Sequence, residues 1–598
     1  MEVRRVVLCA FLAAFLDTSG SCGRKDDPAQ TAEPQARAPA FAPQTRASPA
    51  SRGAAAAPSP TVSGGEESSA SIVTECPKSL GGAESVNRVI TRDCGVVVVA
   101  QDYHLNNGSL TLEAGATLAF SEGTSLNIGY NDSAKLVVRG TEQAPVTFTA
   151  AGDKTAGAWR GLRLFEHADR STIDHLVLED AGQDGQEAIH IDAQDVGFVG
   201  STIRNVQGVG VGFGRHGTVA HFAGNSFERI GRWPVSLGPA AVDGIDGMNR
   251  LPAGSVVHVY GGTIEDKVTW RSVGAPYYVT EDVSVESATG DKALLAIEEG
   301  VEVRFAPDAH ILVGYSQPGA LQTHGAEGAP VTLTASGESW PWLRIYQFGE
   351  GSFAGTLFEK GGSPESAGVL RVDGALALTG CTFRGNIGGV MMTSRAKIKT
   401  LDDNAFVGNE RWALLIYPQQ LGGLGSTNRY GDADRIAMFG GTVEENMTWR
   451  AQRTLIEVLG DLRVDGRTEL SVESGSRFAM KDKTRIVVGD RDNASLRLMG
   501  TAERPIDIFG LRDDPGSWGG IRLLDASRDS VIEHVRLRGA GGDGGVFVEG
   551  EANATISDLA CAKCGAPVLA YACGAKVAAT GVTAAEGTER GEVRLGCP

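Results

Sequence analysis

Short runs in which apolar and polar residues alternate make up most of the chain. Typical segments begin at Ser109 (SLTLE), Lys135 (KLVVR) and Pro145 (PVTFT). A period of two indicates β-strands, here three to five residues long. Turns rich in Gly, Asn and Asp separate the strands at intervals of roughly ten residues. No helical periodicity extends beyond residues 1–21, so the pattern predicts an all-β fold.

Long phrases of the sequence recur at a fixed distance. The segment from Gly261 to Arg271 (GGTIEDKVTWR) returns from Gly440 to Arg450 (GGTVEENMTWR), 179 residues later. The same offset relates Trp233 to Trp412. Recurrence on this scale indicates a protein built from internal repeats.

A second phrase occurs three times, around Pro145, Pro330 and Pro505, and each time a tryptophan follows it: Trp159, Trp342 and Trp518. We therefore predict about three copies of one large unit, running at about residues 97–257, 258–436 and 437–598.

Two folds accommodate many short strands joined by glycine turns: an array of β-sandwiches and a β-solenoid. Similar phrases follow one another along the chain, as coils stacked on one axis require, and this favours the solenoid. With about 22 residues in each coil, the repeats make about 20 coils. The 80 glycines suit such a fold because glycine supplies positive φ angles at the corners.

Several sequence segments resemble the coil sequences of one known group of proteins. They include the segments at Leu136 (LVVRG), Trp159 (WRGL) and Ile173 (IDHLVL). They are similar to bacterial right-handed parallel β-helix proteins of the pectate-lyase-like superfamily, some of which are surface lipoproteins. The resemblance covers about residues 85–580 and implies a right-handed parallel β-helix. It leaves the function open, because the group contains lyases, hydrolases and adhesins.

The first residues have the order of a secretory signal, which we assign to residues 1–21. Arg4 and Arg5 precede the apolar run 6–16, and small residues precede Cys22. A cysteine in this place resembles the bacterial lipobox, although Ser19 stands where leucine is usual. The resemblance implies lipidation of Cys22 and a place in the cell envelope, as an outer membrane lipoprotein or at the cell surface. Secretion without a lipid is the alternative.

Residues 22–72 are rich in Ala, Pro and Ser and show no apolar periodicity. Such a segment buries too little surface to fold, so we predict a disordered linker before a β-helix over residues 73–598.

After residue 20 the chain has no run of about 18 apolar residues, which a membrane-spanning helix would need. The formal net charge of −18 and the absence of Lys/Arg-rich runs argue against nucleic acid as a partner.

Cysteines concentrate at the two ends of the predicted solenoid. Cys76 and Cys94 are expected to form a disulfide that closes the first coil. Two further bridges are expected among the last four cysteines, for which a zinc site is the alternative: Cys561, Cys564, Cys573 and Cys597. Cys381 alternates like a core residue and is expected to be a free buried thiol.

Acidic residues cluster between Glu179 and Asp195, with six in seventeen residues. Carboxylates that converge on one face could hold calcium, and we take Asp180, Asp184 and Asp192 as candidate ligands. The alternative is an ordinary turn, because Asp184 lies in a Gly-rich segment. Apart from calcium we predict no cofactor.

Four aromatic residues are candidates for stacking against sugar rings: Trp233, Tyr277, Tyr278 and Trp412. Capping of the core is the alternative, since two of them recur in successive repeats.

No set of catalytic residues emerges from the sequence. We therefore expect a non-catalytic, surface-anchored β-helix that binds or displays. Its partners would be the membrane, through the lipid, and a polysaccharide or another surface protein. The alternative is a polysaccharide lyase or glycoside hydrolase.

Overall fold

A computed structural model describes residues 71–595 except Ser366 and Asp543. The predicted signal peptide, the linker up to residue 70, Cys22 and Cys597 lie outside the described residues. The first strand begins at Ser71, just before the predicted end of the linker. Strands account for 50% and helices for 3% of the described residues, so the all-β prediction is confirmed. No helix among the described residues is long and apolar enough to cross a membrane.

The described residues form 56 strands. Those of the first third are β1 Ser71–Val73, β2 Ser79–Ile90, β3 Val96–Glu113, β4 Thr117–Phe120, β5 Ser125–Ile128, β6 Ala134–Arg139, β7 Val146–Ala150, β8 Gly161–Leu164, β9 Thr172–Asp174, β10 Leu176–Glu179, β11 Glu187–Ile191, β12 Val196–Val199, β13 Thr202–Val206, β14 Val209–Phe213, β15 Val219–Ala223, β16 Ser226–Ile230, β17 Val235–Leu237 and β18 Val257–Val259. Those of the middle third are β19 Gly262–Ile264, β20 Lys267–Trp270, β21 Tyr277–Val279, β22 Val283–Val285, β23 Ala293–Glu298, β24 Glu302–Phe305, β25 Ile311–Val313, β26 Gly319–His324, β27 Val331–Ala335, β28 Leu343–Ile345, β29 Gly349–Ala354, β30 Thr356–Glu359, β31 Leu370–Val372, β32 Ala375–Thr379, β33 Thr382–Arg384, β34 Val390–Met392, β35 Lys397–Asp402, β36 Ala405–Val407, β37 Leu414–Ile416, β38 Arg429–Tyr430 and β39 Ile436–Met438. Those of the last third are β40 Gly441–Val443, β41 Met447–Trp449, β42 Ile456–Val458, β43 Leu462–Val464, β44 Glu469–Glu473, β45 Arg477–Met480, β46 Ile486–Val488, β47 Ser495–Met499, β48 Ile506–Gly510, β49 Ile521–Leu523, β50 Ser530–Arg538, β51 Val546–Val548, β52 Asn553–Ala562, β53 Leu569–Ala572, β54 Lys576–Thr580, β55 Thr583–Ala585 and β56 Glu592–Leu595. One short α-helix, Pro418–Leu421, and three 3₁₀ turns, Arg92–Cys94, Gln183–Gly185 and Ala241–Gly244, complete the described elements.

Every strand pairs in parallel with strands of the neighbouring coils, and about 21 turns result. One column of strands, for example, runs β5–β8–β11–β14–β17–β18–β21–β24. The prediction of a parallel β-solenoid is therefore confirmed.

The core follows directly from the period of two. In the column just named, residues at the same register position stack on one another with almost no exposure: Ile128, Leu164, Ile191, Phe213, Leu237, Val259, Val279 and Phe305. Their neighbours in sequence point away from the core, because successive residues of a strand face opposite sides.

Buried asparagines form ladders at the corners of successive coils. Asn225 donates from Nδ2 to Oδ1 of Asn249 at 3.0 Å, and Asn404 donates to Asn428 in the same way, also at 3.0 Å. Each side chain also accepts a backbone N–H with its own oxygen, such as that of Cys381 on Asn404. The amide group suits this place because one side chain is both donor and acceptor.

Three tryptophans occupy equivalent buried places, which matches the predicted repetition. The indole Nε1–H of Trp159, Trp340 and Trp518 donates to the backbone carbonyl of Glu179, Glu359 and Arg538, at 2.9, 2.8 and 2.9 Å respectively. Trp340, and not Trp342, is therefore the equivalent in the second copy, which corrects the sequence alignment. Trp342 is only half-buried and directly precedes the inward-facing Leu343 of β28.

Successive copies are turned relative to one another about the solenoid axis. Strand β4 and its equivalent β24 follow matching glycines, Gly115 and Gly300. Strand β4 pairs with β7, whereas β24 continues the column of β5, seven pairing steps further on. Equivalent strands therefore lie on adjacent faces of the solenoid. Matching surface residues of the first two copies point in different directions.

Disulfides lie at both ends of the described solenoid. Cys76 is bonded to Cys94, with Cα atoms 5.1 Å apart, and Cys561 to Cys564, with Cα atoms 6.1 Å apart. Cys573 is also disulfide-bonded. These bonded sulfurs are not thiolates, which argues against the alternative of a zinc site. Cys381 is free and buried, and burial raises the pKa of its thiol to about 11.

Candidate functional site

The three candidate calcium ligands lie in different surroundings. Asp180 is buried and accepts hydrogen bonds from Thr149 Oγ1 at 3.0 Å and from Asn205 Nδ2 at 2.7 Å. Asp184 is exposed in a 3₁₀ turn with a φ of 57°, and Asp192 accepts the backbone N–H of His216 at 3.2 Å. Among the described residues, no group of three or more His, Cys, Asp or Glu side chains could hold a metal ion. The structure therefore does not bring these carboxylates together, and Asp184 fits the turn interpretation.

The four candidate stacking residues also differ. Tyr277 is 1% exposed and donates its hydroxyl hydrogen to the Arg271 carbonyl at 2.6 Å, so its ring belongs to the core and cannot receive a ligand. This corrects the prediction for Tyr277. Its neighbour Tyr278 faces outward and is half-buried, because the two lie on opposite sides of β21. Trp233 and Trp412 are half-buried as well.

Trp233 is part of a stack of protein groups. The ring of His258 lies parallel to it, with centroids 3.6 Å apart, and the Arg232 guanidinium lies 3.8 Å from the Trp233 centroid. His258 is hydrogen-bonded through Nδ1 to Ser236 Oγ at 2.8 Å and through Nε2 to Thr280 Oγ1 at 2.9 Å. Burial, assisted by the charge of Arg232, lowers the pKa of His258 to about 4. Trp233 therefore helps to build this surface rather than offering a free ring.

The neighbouring surface is built on a strand whose outward positions are glycines. In the segment from Val209 to Gly214 (VGVGFG), Val211 and Phe213 face the core, whereas Gly212 and Gly214 face outward. A Cβ atom at Gly212 would lie 2.4 Å from Cγ of Glu187, and one at Gly214 would lie 2.2 Å from Oδ1 of Asp192. The two acidic side chains, which come from the preceding coil, therefore lie directly on the bare backbone of β14.

His190 lies between these two acids in sequence and faces the same side of the sheet. It pairs in register with Arg163 of the coil before and with Gly212 of the coil after. Burial lowers the pKa of His190, with the charge of Arg163 acting in the same direction and the carboxylates of Glu187 and Asp192 opposing it.

Arg163 is held by the backbone. Its Nη1 donates to the carbonyl oxygens of Glu187 at 2.7 Å and of Leu162 at 3.3 Å. Burial lowers the pKa of this guanidinium, although the Glu187 carboxylate favours its charged form.

Tyr260 reaches over the surface from later in the chain. Its hydroxyl donates to the carbonyl of Phe213 at 2.8 Å, across the intervening strand β17. Burial raises the pKa of Tyr260, and the carboxylates of Asp192 and Glu187 act in the same direction. We call this surface the β14 face; its residues are Arg163, Glu187, His190, Asp192, Gly212, Gly214, His258, Tyr260 and Tyr278.

The β14 face is not repeated in the other copies. The arginine four residues after the buried tryptophan recurs as Arg163, Arg344 and Arg522. Its register partner in the next coil, however, is histidine in the first copy and arginine or phenylalanine in the others: His190, Arg371 and Phe547. The histidine is thus specific to the first copy, whereas the acid at the position of Asp192 recurs as Asp373 and Glu549.

Sequence reasoning identified the acids of this site but missed Arg163, His190, His258 and Tyr260. The available signal was the alternation of glycine with apolar residues from Val209 to Gly214, which indicates a strand whose outward positions lack side chains.

No protein-family model, curated protein or solved structure matches this chain.

Proposed function

We propose that the chain is a non-catalytic, surface-anchored β-helix protein whose β14 face binds a saccharide of an extracellular polymer or cell surface. The observation that carries the proposal is the gathering of Glu187, His190 and Asp192 on the glycine strand β14. Carboxylates accept hydrogen bonds and imidazoles can donate them, so the face can pair with sugar hydroxyls. The half-buried ring of Tyr278 adds an apolar contact three coils beyond β14.

Two ionisable groups of the face, His190 and Tyr260, favour binding over catalysis. An efficient acid–base catalyst needs a pKa near the working pH. Burial moves the pKa of His190 downwards and that of Tyr260 upwards, in both cases away from neutral pH. The Arg163 guanidinium is engaged with backbone carbonyls and serves to hold the face together.

A polysaccharide lyase or glycoside hydrolase is the second candidate function. The observation in its favour is that Glu187 and His190 occur together in the first copy and are replaced at the equivalent positions of the other two, as a single specific site would require. On this alternative Glu187, His190 and Asp192 would supply the proton transfers.

The test uses the whole chain and a panel of neutral and acidic polysaccharides, with binding measured by affinity electrophoresis. We expect binding to at least one polymer, and a loss of about tenfold in Asp192→Asn and in Tyr278→Ala. Asp132→Asn and Tyr315→Ala, which change an exposed acid and an exposed ring elsewhere, are the matched controls.

Reducing ends and unsaturated products are measured in the same mixtures. Binding without product supports the proposal, whereas product formation that Asp192→Asn abolishes would establish the enzyme instead. Equal losses in the site variants and in their controls would refute the β14 face as the binding site.

We further propose that Cys22 carries the lipid that attaches the protein to the cell envelope, and that the chain belongs to the pectate-lyase-like β-helix proteins. Support comes from the signal-like order before Cys22 and from the coil phrases of the sequence. Cys22→Ser should move the protein from the membrane fraction to the soluble fraction and abolish incorporation of labelled fatty acid. Incorporation of fatty acid into neither form would refute lipidation.

A further inference from the structure

A separate groove lies on the sheet formed by β20, β23, β26, β29, β32 and β35. Its volume is about 310 Å³. Three lysines line it, together with one acid and with mostly small side chains: Lys267, Lys292, Lys399, Glu350, Leu294, Ala320, Gln322, Gly351, Ser352 and Ala377. None of the residues of the β14 face contributes to it.

The groove is a depression in the surface because mostly small side chains stack at the outward positions of this sheet. One register column on this sheet contains Thr269, Ala296, Gln322, Ser352 and Ala377. Strands of neighbouring coils are about 4.8 Å apart, so the five steps from β20 to β35 span about 24 Å. The groove is therefore a strip that follows the solenoid axis, and its form suits a linear ligand.

Glu350 organises two of the lysines. One carboxylate oxygen binds Nζ of Lys292 at 2.9 Å and the other binds Nζ of Lys399 at 3.1 Å. An ammonium group has three N–H donors, so each lysine keeps donors for a ligand. Three lysines and one glutamate leave the groove with an excess of two positive charges, on a chain whose net charge is −18.

We propose that this groove binds a linear polysaccharide that carries sulfate or phosphate ester groups. The lysine ammonium is a compact point charge whose three N–H donors rotate freely, and it is a regular ligand of phosphate groups. It therefore suits tetrahedral ester groups, which accept hydrogen bonds from several directions. The length of the strip fits a chain of sugars rather than a single small anion.

The groove does not suit nucleic acid. Duplex DNA carries one charge per about 1.7 Å of its axis, which is far denser than two excess charges over a strip of about 24 Å. Binding sites for single strands provide aromatic rings for base stacking. The lining residues, all of which are described, include no aromatic ring.

The experiment measures the affinity of the whole chain for dextran sulfate, a phosphorylated dextran, unmodified dextran, polygalacturonate and duplex DNA. We expect the sulfated or the phosphorylated dextran to bind, and its affinity to fall as salt rises because salt screens exposed charges. The stronger of the two identifies the ester group. Unmodified dextran should not bind.

Variants locate the site. The triple variant Lys267→Gln, Lys292→Gln and Lys399→Gln should bind about tenfold more weakly, since each exposed ion pair contributes about 0.2–1 kcal/mol. The control Lys135→Gln, Lys481→Gln and Lys576→Gln changes the net charge equally at exposed lysines elsewhere and should bind like the unchanged chain. Glu350→Gln should bind more tightly, because it raises the excess charge of the groove from two to three.

Four results would overturn the proposal: equal losses in the triple variant and its control, weaker binding by Glu350→Gln, tighter binding of duplex DNA or polygalacturonate than of either ester-bearing dextran, or no binding of the esters. Circular dichroism of each variant separates a lost site from a lost fold. The β14 face is unchanged in every variant, so the outcome is independent of the saccharide binding proposed for that face.

Discussion

Acidification should loosen the strands around His258, because its imidazole is buried in the neutral form. The ring is 7% exposed and lies between the hydroxyls of Ser236 and Thr280. Its pKa is lowered to about 4, whereas histidine in an unfolded chain has a pKa of about 6.5. Below about pH 6.5 the opened chain binds a proton that the folded chain does not accept until about pH 4. This contribution to stability is therefore complete above about pH 6.5 and declines as the pH falls towards 4.

The two pKa values fix the size of the effect. Between pH 7 and pH 4.5 the free energy of local opening should fall by about 2 kcal/mol. Hydrogen exchange, corrected for its intrinsic pH dependence, measures this quantity in β17, β18 and β21, the strands that carry or flank the histidine. His258→Gln keeps a donor and an acceptor for the two hydroxyls but does not titrate, so its opening free energy should change less over this range. Equal pH dependence in the two proteins would refute the assignment of a buried neutral imidazole.

Three other predictions concern the packing of the solenoid. Asn404→Ala removes a donor to the Leu378 carbonyl and an acceptor for Cys381 N–H, and should lower the local opening free energy by about 2–4 kcal/mol, as measured by hydrogen exchange in β32 and β36. Trp340→Ala should cost about 3–5 kcal/mol in the same assay, whereas Trp342→Ala should cost less than about 1 kcal/mol because that ring is half-buried; the reverse order would contradict the assignment of Trp340 as the core residue. Reduction of Cys561–Cys564 and of the disulfide at Cys573 should expose Arg538 and Lys563 to trypsin while the middle copy stays resistant, and cleavage promoted by a chelator instead would point to bound zinc.

The fold was predictable because it depends on the alternation of apolar and polar residues, which is a local feature of the sequence. A period of two predicts which residues face the core, and recurrent sequence segments predict that coils are stacked. The rotation of the copies was not predictable in this way. The offset of 179 residues counts positions along the chain, whereas the number of strands between β4 and β24 decides which face the second copy begins on.

The site was predictable only in part, and for different reasons at different residues. Tyr277 and Tyr278 are neighbours on a strand, so the period of two already implied that both could not face a ligand. Arg163 and Tyr260, by contrast, lie almost a hundred residues apart in sequence, and only the stacking of coils brings them to one surface. The acids were conspicuous in sequence, but the backbone turn at Asp184 and the burial of Asp180 separate them from the surface that Glu187 and Asp192 share.

Hydrogen exchange of the whole chain with and without a bound saccharide tests the central claim most directly. The probe is a set of oligosaccharides cut from the polymer that binds best in the panel. Saturation should slow exchange in β11, β14 and β21, which carry His190, Gly212 and Tyr278, and Asp192→Asn should reduce this protection. Protection confined to other strands, or unchanged protection in Asp192→Asn, would contradict the assignment of the β14 face as the saccharide-binding site.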